Sequence, residues 1–368
     1  MQIVKTIAAW LAFIVMGIII ALLIGVRGAL FPFTVPFKTD DGSVIENAIS
    51  ELTAVELGGM EQYILLRGAD QSNPVLLWLH GGPGGAQMPL SHALDTELEQ
   101  EFVVVHCDQR GSGKSNHSGF DENTMTFDQF LSDAIELVQY LKQRFHQDKI
   151  FLLGHSWGTQ LGIELSKNYP DDFHAYIAVS QVVNHERATE IAHKWLQETI
   201  SPDEAPDDFQ LLNEIEIPAS KHSEYRKLNR LTDKYGGSFD VSLIQLVRIA
   251  ARAPEYNLRD YLRLLDGMNR GGGPMHRDGI MGGFNYMEQI PAIDIPVYFL
   301  IGNNDYNTPH QLVKEYFELL EAPQKELILF EHSAHTPFLA EPEKFSSTII
   351  NIKQQLFQNE QGENIYEQ

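Results

Sequence analysis

Short runs of consecutive apolar residues constrain the fold of this chain more than any other feature of its sequence. They occupy residues 75–79, 102–105, 150–153, 176–179, 297–300 and 327–330. Runs that are apolar at every position are typical of strands buried on both faces of a parallel sheet. Between the second and third runs, apolar residues recur at helical spacing from Phe127 to Leu141, behind a capping pair at Thr126 and Gln129. The sequence therefore predicts an α/β fold with a mostly parallel central sheet flanked by helices.

Other segments interrupt or extend this core. Residues 53–56 and 62–66 flank Gly58-Gly59 and predict an antiparallel hairpin. From 181 to 290 the pattern becomes helical and polar, with a glycine-rich break at 271–273, which predicts a helical cap inserted into the core. We expect the core to comprise residues 31–180 and 291–358, and residues 359–368 to form a polar tail.

The N-terminus carries a long apolar segment. No ionisable side chain occurs from Thr6 to Val26, and 21 residues in a helix span ~30 Å, the hydrocarbon thickness of a bilayer. A buried core helix would show a polar stripe, and a cleaved signal peptide would end at small residues. We therefore predict a single-pass membrane anchor within residues 1–30 that contacts membrane lipid. Its orientation stays open, because Lys5 precedes the segment while Arg27 and Lys38 follow it.

The composition excludes several classes of function. Lys and Arg number 27 against 50 Asp and Glu, a net charge of −23, so nucleic acid is not an expected partner. A single cysteine, Cys107, excludes an intrachain disulfide framework and a thiolate-only metal cluster.

A candidate nucleophile follows the third apolar run. Gly154-His155-Ser156-Trp157-Gly158 stands between the predicted strand at 150–153 and a predicted helix. This is the setting of a G-x-S-x-G nucleophile elbow, in which glycines let strand and helix approach closely around a strained serine. The alternative is a structural turn with an incidental serine. We assign Ser156 as the nucleophile.

A serine hydroxyl needs a base and an acid to orient that base. Asp305 follows the run at 297–300, and His335 follows the run at 327–330. The order Ser, Asp, His is that of an α/β-hydrolase. Asp305 also suits a turn or helix cap before Pro309, and His332 is an alternative base.

Glycines after the first run suggest where an oxyanion would bind. His80-Gly81-Gly82-Pro83-Gly84-Gly85 directly follows residues 75–79, where a backbone N–H can approach substrate closely. We predict that the backbone N–H groups of Gly82 and Trp157 form the oxyanion hole. A plain glycine-rich loop is the alternative.

Three motifs together resemble the proline iminopeptidase (prolyl aminopeptidase) branch of the α/β-hydrolases. They are His80-Gly81-Gly82-Pro83-Gly84, Asp108-Gln109-Arg110-Gly111-Ser112-Gly113-Lys114-Ser115 and the elbow at 154–158. The resemblance covers about residues 75–180 and 296–345 and implies a cap over the site and release of an N-terminal residue, often proline. We expect Asp108 and Arg110 to form a structural turn and ion pair beside the site. In the family, cap glutamates compensate the substrate's amine, and the candidates here are Glu186, Glu190, Glu214, Glu216 and Glu255. A charged cap face exposed to water is the favoured alternative for each of them.

The resulting prediction is a membrane-anchored serine hydrolase that cleaves an acyl bond of a peptide or small acyl substrate. It would use Ser156, His335 and Asp305 through an acyl-enzyme, with no metal or organic cofactor. An aminopeptidase of proline iminopeptidase type is the first expectation. A carboxylesterase or lipase on the same scaffold, or a non-catalytic binding protein of the same fold, are the alternatives. The sequence leaves the substrate-binding residues and the side of the membrane open.

Overall fold

The computed structural model describes residues 31–117, 119, 121–219, 221–270 and 283–366. The membrane anchor predicted for residues 1–30 lies outside the described residues. Within the described part of the chain, no helix combines the length and the apolar character that crossing a membrane requires.

The centre of the described structure is an eight-stranded sheet. Its strands are β1 (Ile49–Leu57), β2 (Met60–Gly68), β3 (Val75–Leu79), β4 (Val103–Cys107), β5 (Ile150–His155), β6 (Phe173–Val179), β7 (Val297–Gly302) and β8 (Lys325–Phe330). They lie in the order β1-β2-β4-β3-β5-β6-β7-β8. The β1–β2 and β2–β4 pairs are antiparallel, and all later pairs are parallel. The predicted hairpin and the mostly parallel sheet are therefore confirmed.

Helices flank this sheet and cover one end of it. The described α-helices are α1 (Ser91–Leu94), α2 (Leu98–Glu101), α3 (Phe127–Phe145), α4 (Trp157–Asn168), α5 (His185–Thr199), α6 (Pro206–Asn213), α7 (His222–Lys234), α8 (Leu243–Ala250), α9 (Leu258–Arg270), α10 (Tyr286–Gln289), α11 (His310–Leu319), α12 (Pro337–Ala340) and α13 (Pro342–Tyr366). Short 3-10 turns occupy Met88–Leu90, Gly113–Ser115, Glu122–Thr124 and Pro170–Asp172.

The crossover helix α3 begins as the sequence predicts, with one difference. The Thr126 hydroxyl accepts a hydrogen bond from the Gln129 amide at 3.3 Å. The Gln129 side chain, however, donates to Asp133 one turn later at 2.8 Å. The hydrogen bond from the Gln129 amide to the Thr126 side chain therefore forms as predicted. The Gln129 side chain does not return to Thr126 but binds the buried Asp133 carboxylate.

The two faces of the sheet bury separate apolar layers, because successive side chains of a strand point to opposite faces. In β3, Leu77 joins one layer, whereas Leu76 and Trp78 join the other. The first layer packs against α3, α4 and α11, and the second packs against α13. This arrangement explains why strands at the centre of the sheet, such as β3, are apolar at every position.

The last helix differs from the sequence prediction. Residues 359–366, predicted as part of a polar tail, continue α13 to Tyr366. Once a helix has formed, each further residue adds a hydrogen bond at low cost, and Glu and Gln propagate helices well. The polar composition of residues 359–366 therefore does not predict where α13 ends.

The region between β6 and β7 carries α5–α10 and has an apolar cluster of its own. Leu196, Leu212 and Leu231 are buried in this cluster. Trp195 of α5 stacks on Tyr306 of the loop after β7, with ring centroids 4.1 Å apart. The cap region predicted at 181–290 thus contacts the core at the end of the sheet where the parallel strands finish.

Candidate active site

Ser156 lies in the sharp turn between β5 and α4. Its backbone has φ 52° and ψ −119°, a strained positive-φ conformation that side-chain-bearing residues rarely adopt. The flanking glycines allow this turn because their neighbours are very close. A Cβ at Gly158 would lie 2.1 Å from the Leu79 carbonyl oxygen, and one at Gly154 would lie 2.6 Å from the Gly158 carbonyl oxygen. The local geometry is that of a nucleophile elbow.

The structure brings together the three side chains that the sequence proposed for the triad. The Ser156 hydroxyl oxygen lies 2.9 Å from His335 Nε2. On the other side of the ring, His335 Nδ1 lies 2.9 Å from Asp305 Oδ2. A donor at Nδ1 and an acceptor at Nε2 is the tautomer that can take a proton from serine. His332, the alternative base, is exposed, and its amide binds Glu341 at 3.0 Å.

Asp305 is buried, and its carboxylate is held in place from several directions. The amides of Asn307 and Thr308 donate to Oδ1 at 2.9 Å each, and the Thr308 hydroxyl donates to Oδ2 at 2.8 Å. Burial raises the pKa of Asp305, but the charge and hydrogen bond of His335, together with the Thr308 bonds, outweigh it and leave the pKa below its ordinary value. The Asp305 carboxylate therefore stabilises the turn that follows β7 and also orients His335.

Two side chains next to the nucleophile fix the backbone of His335. The Ser180 hydroxyl and His155 Nε2 both lie 3.0 Å from the His335 carbonyl oxygen. Burial, and then the charge of His335, lower the pKa of His155 to about 3. His155 is thus neutral and donates through Nε2, because the carbonyl oxygen can only accept.

A cap residue that the sequence did not reveal holds the loop around His335. Asp240 accepts hydrogen bonds from the amides of Ala334 at 2.5 Å and Thr336 at 2.8 Å, and from the Thr336 hydroxyl at 2.9 Å. The His335 amide itself donates to the Ser238 carbonyl at 2.8 Å. The segment on both sides of the imidazole is therefore tied to the cap.

Gly82 and Trp157 line the same cleft as Ser156. Trp157 is the first residue of α4, where the backbone N–H has no acceptor within the helix. Gly82 has φ +120°, and a Cβ there would lie 2.6 Å from the amide nitrogens of Gly84 and Gly85. Both residues therefore line the cleft beside Ser156, and their assignment to an oxyanion hole stays a prediction.

A glutamine links the three sequence motifs. The Gln109 side chain accepts from Trp157 Nε1 and donates to the His80 carbonyl, both at 3.2 Å. The Gln109 amide also donates to His80 Nε2 at 3.2 Å. Burial is the main cause that lowers the pKa of His80 to about 4, so this imidazole is neutral and can accept. The glycine-rich loop, the loop at 108–115 and the elbow therefore form one connected unit.

The predicted ion pair between Asp108 and Arg110 does not form. Arg110 pairs instead with Asp133 of α3, with Nη2 and Oδ1 2.8 Å apart. Asp108 accepts hydrogen bonds from the Lys114 amide at 2.7 Å and from the Tyr256 hydroxyl. Burial raises the pKa of Asp108 to about 6. The two side chains are close in sequence but point into different buried networks.

The cleft above Ser156 encloses about 460 Å³ of empty space, part of it open to solvent. Its walls include Val183, His185, Ala188, Tyr225, Asn307 and Leu312. The described residues that line it include no Asp or Glu.

The five glutamates considered as candidates for binding a substrate amine lie elsewhere. None of Glu186, Glu190, Glu214, Glu216 and Glu255 lines the cleft. Exposed positions are occupied by Glu186, Glu190, Glu214 and Glu216. Glu255 is buried, and burial raises its pKa. Within the described residues, no group of three or more His, Cys, Asp or Glu side chains is placed to hold a metal ion.

Comparisons with known proteins agree with this fold. A family model described as alpha/beta hydrolase fold matches residues 74–342. A probable aminopeptidase of Bacillus subtilis (strain 168) is 34% identical over 312 residues, covering 83% of this chain and 96% of the relative. A proline iminopeptidase of Heyndrickxia coagulans is 27% identical, covering 75% of this chain and 88% of the relative.

Solved structures with the same fold carry different names. A proline iminopeptidase-related protein from Thermus thermophilus has a TM-score of 0.58 at 22% identity, covering 82% of this chain and 96% of its own. An esterase from Rhodococcus sp. ECU1013 has a TM-score of 0.55 at 16% identity, covering 84% of this chain and 99% of its own. At these identities the likeness shows the fold alone.

Proposed function

Because the chain belongs to the α/β-hydrolase fold family, we propose that it is a serine hydrolase acting as an aminopeptidase of proline iminopeptidase type. The observation that carries the proposal is the continuous hydrogen-bonded path from Ser156 through His335 to Asp305 at the base of a cleft. The names of the two relatives and the three sequence motifs support the aminopeptidase activity.

The proposed reaction begins with attack of the Ser156 hydroxyl oxygen on the substrate's carbonyl carbon. His335 Nε2 accepts the hydroxyl proton, while Asp305 holds the ring and stabilises its charged form. The N–H groups of Gly82 and Trp157 stabilise the oxyanion of the tetrahedral intermediate. His335 then gives its proton to the leaving amine, and an acyl-enzyme forms on Ser156. Water, activated by His335, releases the acid and restores the serine.

The aminopeptidase proposal is tested by changing only the amine of the substrate. The purified chain should hydrolyse prolyl and other aminoacyl p-nitroanilides and should lose at least ~100-fold in kcat/KM when the amine is acetylated. The variant His335→Ala should lose activity on every substrate, whereas His332→Ala, three residues away and exposed, should keep it. Equal rates on free and acetylated anilides would contradict an aminopeptidase while leaving the serine mechanism intact.

One observation favours a second candidate, a carboxylesterase. The described lining of the cleft offers neutral polar side chains such as His185, Tyr225 and Asn307 rather than a carboxylate. A free amine is positively charged and is costly to bury without an opposite charge. On this second candidate, short p-nitrophenyl esters would be hydrolysed much faster than any aminoacyl anilide, and acetylation would have no effect.

We propose that residues 1–30 anchor the enzyme to a membrane, with the hydrolase core at 31–180 and 291–358 and the cap at 181–290. The uncharged stretch from Thr6 to Val26 supports this anchor. In the native host, the full chain should stay with the membrane pellet after alkaline carbonate washing and leave it only in detergent. Release by carbonate would contradict a spanning anchor.

A further inference from the structure

Helix α8 is apolar yet lies on the surface of the cap. Its eight residues are apolar except for Gln245 and Arg248, and none of them is buried. Leu243 is 74% exposed and Ile244 65% exposed. Soluble proteins rarely expose contiguous apolar side chains of this size unless the surface binds something.

Helix α9 presents several apolar side chains to solvent while it buries the polar Asp260. Its inner face packs on the loop after β4, where Asp260 pairs with Lys114 at 2.5 Å and a Cβ at Gly267 would lie 2.7 Å from the Gly111 carbonyl oxygen. Its outer face carries Leu258, Leu262 and Met268, each more than half exposed. The side with Asp260 and Leu264 packs on the core, whereas Leu258, Leu262 and Met268 face away from it.

The two helices adjoin each other and the start of the described chain. The Tyr261 hydroxyl of α9 donates to the Ala250 carbonyl at the end of α8. The Phe33 amide donates at 3.0 Å to the Pro254 carbonyl, in the connection between the helices. Phe31 and Phe33 are themselves exposed. This apolar surface, which we call the cap apolar face (Phe31, Phe33, Leu243, Ile244, Val247, Leu258, Leu262 and Met268), thus lies where the proposed anchor meets the enzyme.

The charge around the cap apolar face is opposite to that of the whole chain. Residues 241–270 contain five arginines and three carboxylates in a chain of net charge −23. Two of those carboxylates, Glu255 and Asp260, are buried, whereas Arg248, Arg252 and Arg259 are exposed. Arginine binds phosphate groups well, and its long side chain can reach a charged headgroup beside an apolar surface.

We propose that the cap apolar face docks on an anionic phospholipid bilayer, with its leucines among the upper acyl chains and its arginines at the phosphates. Apolar side chains flanked by basic ones on surface helices are typical of elements that lie in a membrane interface. The position of Phe33 supports a bilayer as the occupant, because the 30 residues before Phe31 include the apolar stretch from Thr6 to Val26. The cap, rather than an edge of the sheet, then faces the membrane.

The chain's single cysteine makes a site-specific test possible. Cys107 is buried, so a cysteine introduced at an exposed position is the readily labelled thiol. We would make Leu262→Cys in the full chain, attach an environment-sensitive NBD fluorophore, and reconstitute the protein into vesicles of phosphatidylcholine and phosphatidylglycerol. The matched control is Asp148→Cys, an exposed position before β5 and therefore at the opposite end of the parallel strands from the cap.

The measured quantity is quenching of the fluorophore by phosphatidylcholine that carries a nitroxide on its acyl chain. We expect at least twofold quenching and a blue-shifted emission at position 262, and unchanged emission at position 148. Replacing Arg248, Arg252 and Arg259 by glutamine should reduce the quenching at 262. Equal, low quenching at both positions would overturn the proposal. So would a position-262 label that is already blue-shifted without vesicles and insensitive to nitroxide lipid, because a second copy or residues 1–30 would then cover the face. Neither result depends on hydrolytic activity, and the quenching is read only on protein that floats with the vesicles, so a failed anchor is not mistaken for a failed docking face.

Discussion

Replacing Asp240 with asparagine should slow catalysis while the protein stays folded. The carboxylate accepts hydrogen bonds from the amides of Ala334 and Thr336, on both sides of His335. An asparagine side chain keeps one acceptor oxygen, but its amide NH₂ must then face one of these two donors. One backbone N–H next to the imidazole would therefore lose its acceptor.

The size of the effect follows from that single lost bond. A hydrogen bond to a charged group contributes ~1.5–3 kcal/mol, and the partial exposure of Asp240 favours the lower end of this range. Because 1.4 kcal/mol corresponds to a tenfold change in rate, a loss of about 1.5–2 kcal/mol in holding His335 predicts a ~10–30-fold decrease in kcat/KM.

The assay compares Asp240→Asn with a matched cap variant, Asp233→Asn. Asp233 is exposed and accepts the Phe239 amide at 3.3 Å, without touching the segment around His335. We would measure kcat, KM and the second-order rate of fluorophosphonate labelling at Ser156, with the thermal midpoint as a check on folding. Asp240→Asn should lower both kcat/KM and the labelling rate. Asp233→Asn should change each of these less than twofold. A lower thermal midpoint with an unchanged labelling rate would refute the positioning role.

Three further predictions follow from the geometry. Asp305→Asn should lower kcat by ~10,000-fold, because an amide can no longer hold His335 in the tautomer that accepts the serine proton, and steady-state kinetics on any active substrate would show it. Gly158→Ala should destabilise the protein by about 3 kcal/mol or more in urea unfolding, because its Cβ would lie 2.1 Å from the Leu79 carbonyl oxygen; a loss below ~0.5 kcal/mol would be inconsistent with so close a contact. His155 has its pKa lowered from 6.5 to about 3, so below pH 6.5 the unfolded chain binds a proton that the native state does not, and about 2 kcal/mol of stability should be lost by pH 5. The variant His155→Gln should show a correspondingly smaller loss between pH 7.5 and pH 5, and an unchanged loss would contradict the assignment.

The sequence predicted the parts of the site that local pattern determines. Ser156 was found because an elbow needs glycines at fixed spacing after a buried strand. Asp305 and His335 were found because parallel strands end at one edge of the sheet, so polar residues after β7 and β8 reach the serine. The apolar runs located the strands for the same physical reason, since both faces of the sheet are covered.

Contacts that depend on packing between distant segments were not predictable in this way. Asp240 lies 94 residues before Ala334, and nothing in its neighbourhood distinguishes it from the other carboxylates of an acidic chain. The sequence motif predicts that Arg110 pairs with the nearby Asp108. In the structure, Arg110 pairs with Asp133 of α3 instead. In α9 the helical spacing of the residues defines two faces but does not determine which of them is buried. In the structure, the face with Asp260 packs on the core.

The most direct test of the account is to locate the residue that an active-site-directed reagent modifies. The full chain would be treated with a fluorophosphonate, digested, and mapped by mass spectrometry beside the variants Ser156→Ala and His335→Ala. The account predicts one phosphonylated residue, Ser156, no labelling of Ser156→Ala, and labelling of His335→Ala at least ~1,000-fold slower. Labelling of a different residue, or equal labelling of the wild-type chain and Ser156→Ala, would contradict it.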